Sequence, residues 1–175
     1  AYKGAFRLVR TTERTKQTDL MTKTLYLHIG MPKCASTTIQ DVLRVHADIF
    51  LQHGKFYAPS PGGTTVGQGN ATQLLADIRE KRTDQVDRTL AFFLERDTDV
   101  ILSSELLIAM ARDRMIDMMM ARATDAGFDL KVLCYLRRQD QWIESDYKQH
   151  IKGVSEWIQG IGPLIERRIR TKVLD

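Results

Sequence analysis

The residues from Leu25 to Gln40, LYLHIGMPKCASTTIQ, constrain the fold of this chain more than any other stretch. Leu25-Tyr26-Leu27-His28-Ile29 is a short β-rich run of the kind buried in a parallel sheet. Gly30 interrupts it, and Met31 to Ala35 make a short loop. Ser36-Thr37-Thr38 are good N-terminal residues for the helix that Ile39, Val42 and Leu43 continue. A strand that turns through a tight loop into a helix start aims unpaired backbone N–H groups and the positive end of the helix dipole at one point. That layout binds phosphate.

Two further runs repeat the pattern. Asp99-Val100-Ile101-Leu102-Ser103 reads as a second buried strand ending at Ser104-Glu105. Leu130 to Leu136 reads as a third, followed by Arg137-Arg138 and a helix from about Asp140. The intervening segments are helical in period: Thr37 to Phe50; Ala71 to Asp97 with a break near Thr83-Asp84; and Leu106 to Ala126, interrupted near Arg112-Asp113 and closed by Gly127. In the second of these, Leu74, Leu75, Ile78, Val86, Leu90, Phe93 and Leu94 fall on the inward side. Met110, Met115, Met118, Met119 and Met120 read as core filling. Alternating strands and helices predict an α/β domain around a parallel sheet, whose ligands bind at the carboxyl ends of the strands. Gly30, Glu105 and Arg137 all lie just past such ends. Ala58 to Asn70 (APSPGGTTVGQGN) is predicted to be a long mobile loop, either a lid or a disordered connection.

Composition narrows the function classes. At 175 residues, with 43% apolar and 27% charged residues, the chain suits one domain with a sizeable core. The net charge of +4 accords with an anionic ligand and falls short of a nucleic-acid binder's footprint. No apolar run reaches the length of a membrane span, and no stretch reads as a secretory signal. Cys34 and Cys134 make no disulfide framework, so free thiols in a reducing, cytoplasmic setting are expected. Ala1 to Asp19 is polar and aperiodic. Residues 1–20 therefore read as an extension, and residues 21–175 as the domain.

The loop departs from the Walker A pattern, which would put lysine and then Ser or Thr after a second glycine. Here Gly30 is followed at that spacing by Ala35, Ser36 and Thr37, and the lysine sits inside the loop at Lys33. Pro32-Lys33-Cys34-Ala35-Ser36-Thr37 resembles instead the P-K-[ST]-G-[ST]-T loop of the sulfotransferases, of bacterial type, that use 3′-phosphoadenosine 5′-phosphosulfate (PAPS). The resemblance implies a three-layer α/β/α fold like that of P-loop NTPases. It also implies that Lys33 contacts the bridging oxygen and the sulfonate in flight, with Ser36 and Thr37 on the 5′-phosphate. Cys34, Ala35 and Thr38 complete the implied loop site. Ala35 replaces the family's glycine, at a position where positive φ is costly for alanine.

A second resemblance covers Leu136-Arg137 to Tyr147. Members of that family carry Leu-Arg at a strand end, a serine eight residues on, and then S-x-Y, matched here by Arg137, Ser145 and Tyr147. In the family this arginine and serine grip the 3′-phosphate, which suits a bidentate guanidinium. The implied activity is transfer of a sulfuryl group from PAPS to a hydroxyl or amine acceptor, with no metal required. The family's base is histidine or glutamate, and Glu105, just past the second strand, is the candidate. A glutamate at a helix start, favoured there by the dipole, is the alternative. His28 lies inside a strand and reads as structural; His46, His53 and His150 are less well placed for chemistry. Family members continue further beyond the serine motif, so a C-terminally shortened domain is expected. Two other readings stay open: a P-loop kinase or nucleotide-binding protein using Glu105 with Mg²⁺, and a non-catalytic module of sulfotransferase type.

Overall fold

The computed structural model describes residues 22–62, 69–108, 110, 115–152 and 159–171. The predicted extension of residues 1–20 lies outside them. In chain order the elements are β1 (Lys23–Ile29), α1 (Ser36–Val45), α2 (Ala47–Gln52), β2 (Lys55–Phe56), α3 (Thr72–Arg79) and α4 (Thr83–Leu94). Then come β3 (Asp99–Ser104), a single 3₁₀ turn (Glu105–Leu107), α5 (Ile116–Asp125), β4 (Phe128–Leu133), α6 (Gln139–Lys152) and α7 (Ile161–Arg170). The four strands form one all-parallel sheet in the order β2-β3-β1-β4.

The alternation of side chains along β1 and β3 makes the layers. Leu25, Leu27 and Ile29, with Val100 and Leu102, point into the main core beside Leu74, Leu75, Leu90 and Phe93 of α3 and α4 and Met119 of α5. Tyr26 and Ile101 point to the opposite face, where Ile39 and Leu43 of α1 and Phe50 of α2 meet them. Helices on both faces of a parallel sheet are consistent with a three-layer α/β/α arrangement. No described helix is long and apolar enough to cross a membrane.

Several boundaries differ from the sequence expectation. The helix expected over Thr37 to Phe50 is two, because His46 leaves helical geometry (φ −111°, ψ 26°), and Val42, Val45 and Ile49 are exposed. The break near Thr83 lies just before it, at Lys81, whose positive φ of 56° ends the run from α3. β4 begins two residues earlier than the apolar run Leu130 to Leu136 and stops at Leu133. Its partner β1 ends at Ile29, one residue past the His28–Leu133 pair, so Tyr135 and Leu136 have no ladder to join. α7 starts at Ile161, just after Gly160, with Gly162 and Pro163 in its first turn. The break near Arg112-Asp113 and the middle of the predicted lid, residues 63–68, lie outside the described residues. The far end of that lid is not loose: Asn70 donates to the carbonyls of Ala58 (3.0 Å) and Ile101 (2.9 Å) and accepts from the Ser103 amide (2.8 Å). Both cysteines are free, Cys34 buried and Cys134 exposed.

Candidate functional site

The loop between β1 and α1 has an unusual backbone for its sequence. Lys33 (φ 68°) and Ala35 (φ 64°, ψ 19°) are both left-handed, with Cys34 between them on the ordinary side. Each such non-glycine residue costs about 1–2 kcal/mol. A glycine at position 35 would have avoided half of that strain; here Ala35 adopts the conformation regardless. Alternating backbone hand curls successive N–H groups toward a common centre, a shape that receives anions. α1 then starts at Ser36 with no side-chain cap and no acidic residue in its first turn. Its first N–H groups and its positive dipole end therefore lie beside the loop with no acidic side chain of α1 itself to offset them.

Four contacts hold the loop in this shape. Arg137, just beyond β4, donates from Nη1 to the Lys33 carbonyl at 3.2 Å. Trp142, on the first turn of α6, donates from its indole Nε1 to the Pro32 carbonyl at 2.7 Å. Cys34, only 7% exposed, is tucked among Trp142 and Ile143 of α6 and Leu164 of α7. Ser36, buried, donates its hydroxyl to Glu105 Oε2 at 2.7 Å. The loop is thus tied to the ends of β3 and β4 and to the α6–α7 pair. α7 is itself held on α6 by Arg168, whose Nε reaches the buried Asp146 carboxylate at 2.8 Å.

These contacts sort the sequence-predicted residues. Lys33, Ser36, Glu105 and Arg137 come together around the loop. Thr37 and Thr38 are exposed at the α1 start, open to a ligand. Cys34 offers a ligand only its backbone, because its side chain serves as an anchor, and burial pushes its thiol pKa up despite the nearby Arg137. Ser145 is half-buried on α6, one turn past Trp142 on the same flank of the helix. The two neighbouring arginines separate cleanly. Arg138 is engaged by Asp140 through Nε and Nη2, both at 2.6 Å, and that hydrogen bonding draws the Asp140 carboxyl down to about 2. Arg137 is the one turned to the loop.

Glu105 does not cap its own turn; Ser104 Oγ does, accepting the Leu106 amide at 3.3 Å. Its carboxylate is turned to Ser36 instead. Behind the site, His28 is 2% exposed, with Nδ1 2.8 Å from Ser103 Oγ and its ring edge-on to Tyr135. Its Nε2 is buried and finds no hydrogen-bond partner among the described residues, and burial lowers its pKa. No cluster of three or more His, Cys, Asp or Glu among the described residues is arranged to hold a metal ion.

The sequence reading assigned no role to Trp142, although an aromatic donor at the start of the motif helix was a visible signal. Nor did it give Asn70 a role, despite its place at the end of a glycine-rich run. Compared with protein families, with curated proteins and with solved structures, the chain gives no match in any of the three.

Proposed function

We propose that this chain is a PAPS-dependent sulfotransferase, moving a sulfuryl group to a hydroxyl or amine acceptor. One observation carries the reading: Arg137 reaches the Lys33 carbonyl across 104 residues of sequence. The two stretches that resemble the family's 5′-phosphate and 3′-phosphate motifs therefore adjoin in space. The residues present suit a bisphosphorylated nucleotide. The concave loop, the uncapped α1 start and the Thr37 and Thr38 hydroxyls offer donors to one phosphate, and Arg137 with Ser145 to another.

In the reaction so read, Lys33 stabilises the negative charge that grows on the phosphate oxygen as its bond to sulfur breaks. The acceptor oxygen or nitrogen forms the new bond to sulfur, and Glu105 takes its proton. A P-loop kinase is the second reading, favoured by the Ser36–Glu105 pair, since a hydroxyl beside a carboxylate is a common Mg²⁺ seat. Lys33 in mid-loop, away from the Walker position, argues against it.

Calorimetry with adenosine 3′,5′-bisphosphate, AMP and Mg·ATP separates them. The bisphosphate is expected to bind most tightly, and equally well in EDTA. Loss of a charge-assisted contact is worth roughly 1.5–3 kcal/mol, so Arg137→Ala is expected to weaken it about ten- to a hundredfold. Arg138→Ala, its guanidinium already held by Asp140, is expected to do much less. Tighter binding of Mg·ATP overturns the assignment in favour of the kinase. Binding of none of the three leaves the non-catalytic module.

A further inference from the structure

In the order β2-β3-β1-β4, strand β4 is paired with β1 on one side and, among the described residues, has no strand on the other. An open strand edge is a template for pairing, and its residues decide whether it repels or invites a neighbour. Phe128, Leu130 and Val132 are all apolar on one face. Val132 and Leu133 are each 44% exposed, an unusual burden for a water-facing margin. The other face carries Asp129 and Lys131, both exposed, with Leu133 beyond them, and neither charged residue enters an ion pair among the described residues. Lys131 lies over the sheet, its Nζ 5.7 Å from the Tyr26 ring.

We propose that β4 pairs antiparallel with β4 of a second copy of this chain, across a two-fold axis normal to the sheet. Such a contact is closed and self-complementary, whereas parallel pairing of the same edges is not. The axis keeps each sheet face on its own side, so opposed residues must both be odd-numbered or both even-numbered. The charges then choose the register. An axis through Lys131 sets Lys131 against its own copy, and one through Asp129 sets Asp129 against its own copy. Like charges directly opposed on an antiparallel pair are destabilising. An axis through Leu130 sets Asp129 of each copy opposite Lys131 of the other. The same register sets Phe128 opposite Val132, and Leu130 opposite Leu130. Both faces match at once, with opposite charges on one and apolar side chains on the other. The occupant inferred is therefore another copy of the same strand, not an unrelated apolar segment.

The test uses the full chain with Cys134→Ser, which removes the exposed thiol. Sedimentation over a range of concentrations is expected to give a dimer. Asp129→Lys and Lys131→Asp, each turning attractive pairs into repulsive ones, are expected to weaken dimerisation by about tenfold or more. The double variant Asp129→Lys with Lys131→Asp restores opposite charges and is expected to restore the dimer. Leu130→Cys, opposite its own copy, is expected to cross-link on mild oxidation, and Asp129→Cys to do so poorly. A monomer at every concentration overturns the proposal, and means that another segment or another protein covers β4. A dimer unmoved by either single reversal overturns it too.

Discussion

At Glu105 two roles can be pulled apart, because the carboxylate both accepts the Ser36 hydroxyl and stands at the end of β3 beside the loop. Glutamine keeps an oxygen to accept that hydroxyl but cannot take a proton. Glu105→Gln is therefore expected to preserve the fold and bisphosphate binding while turnover falls by about a hundredfold or more. If nucleotide affinity falls as far as turnover does, Glu105 is a support for the loop and not the base. Lys33 is a sharper case. The bond from Arg137 is to its carbonyl, and among the described residues its ammonium enters no hydrogen bond or ion pair. Lys33→Ala is expected to leave melting behaviour close to wild type and weaken nucleotide binding only moderately; on the proposed sulfuryl transfer it abolishes turnover, because there the charge matters most as the S–O bond breaks. Turnover that survives the change removes Lys33 from the mechanism.

Among elements, the α6–α7 pair acts as a brace for the loop. Lys33 and Ala35 are left-handed at a cost that must be offset elsewhere, and the indole bond from Trp142 to Pro32, with Cys34 packed beneath it, supplies part of that offset. Trp142→Phe keeps most of the apolar contact and deletes the donor. A lost neutral hydrogen bond is worth about 1 kcal/mol, so a comparable fall in stability is expected by denaturant melting. Bisphosphate affinity should drop with it, read by calorimetry, since a loop free to leave the concave shape must be ordered again on binding. Unchanged affinity would mean that the remaining contacts suffice. The brace also shows where sequence reading runs out. Gly30, Glu105 and Arg137 could be placed together because a parallel sheet gathers its strand ends on one edge. Trp142 could not, because its reach to Pro32 depends on how α6 rotates against the loop. β2 was invisible for a different reason: two residues, Lys55 and Phe56, are too few to show a period. The end of β4 was overrun because apolar residues continue to Leu136 after the neighbouring strand has stopped.

For the whole molecule, the α/β alternation was legible because the main core is built from residues with clear periods: Leu25 and Leu27 on β1, Leu74, Leu75, Leu90 and Phe93 on α3 and α4. The polar layer on the other face of the sheet was not. His28 and Ser103 pair within it at 2.8 Å, a contact set by the register of β1 on β3, which no local pattern encodes. That layer makes stability depend on pH in a definite direction. His28 is buried, and its Nε2 has no partner among the described residues, so a charged ring is disfavoured in the folded chain and its pKa lies below the ordinary value of 6.5. Above that value the ring is neutral in both states and stability is complete. As the pH falls through it, the unfolded chain takes up a proton that the folded chain still refuses, so stability declines until the folded pKa is passed. The slope from one such proton is at most about 1.4 kcal/mol per pH unit. His28→Asn retains a side-chain amide near the Nδ1 position for Ser103 and does not titrate. Urea melts between pH 7 and pH 5 are expected to show wild type losing stability relative to the variant as the pH drops. Parallel curves across that window would mean that His28 takes its proton in the folded chain as readily as in water, and that the polar layer holds a partner for Nε2.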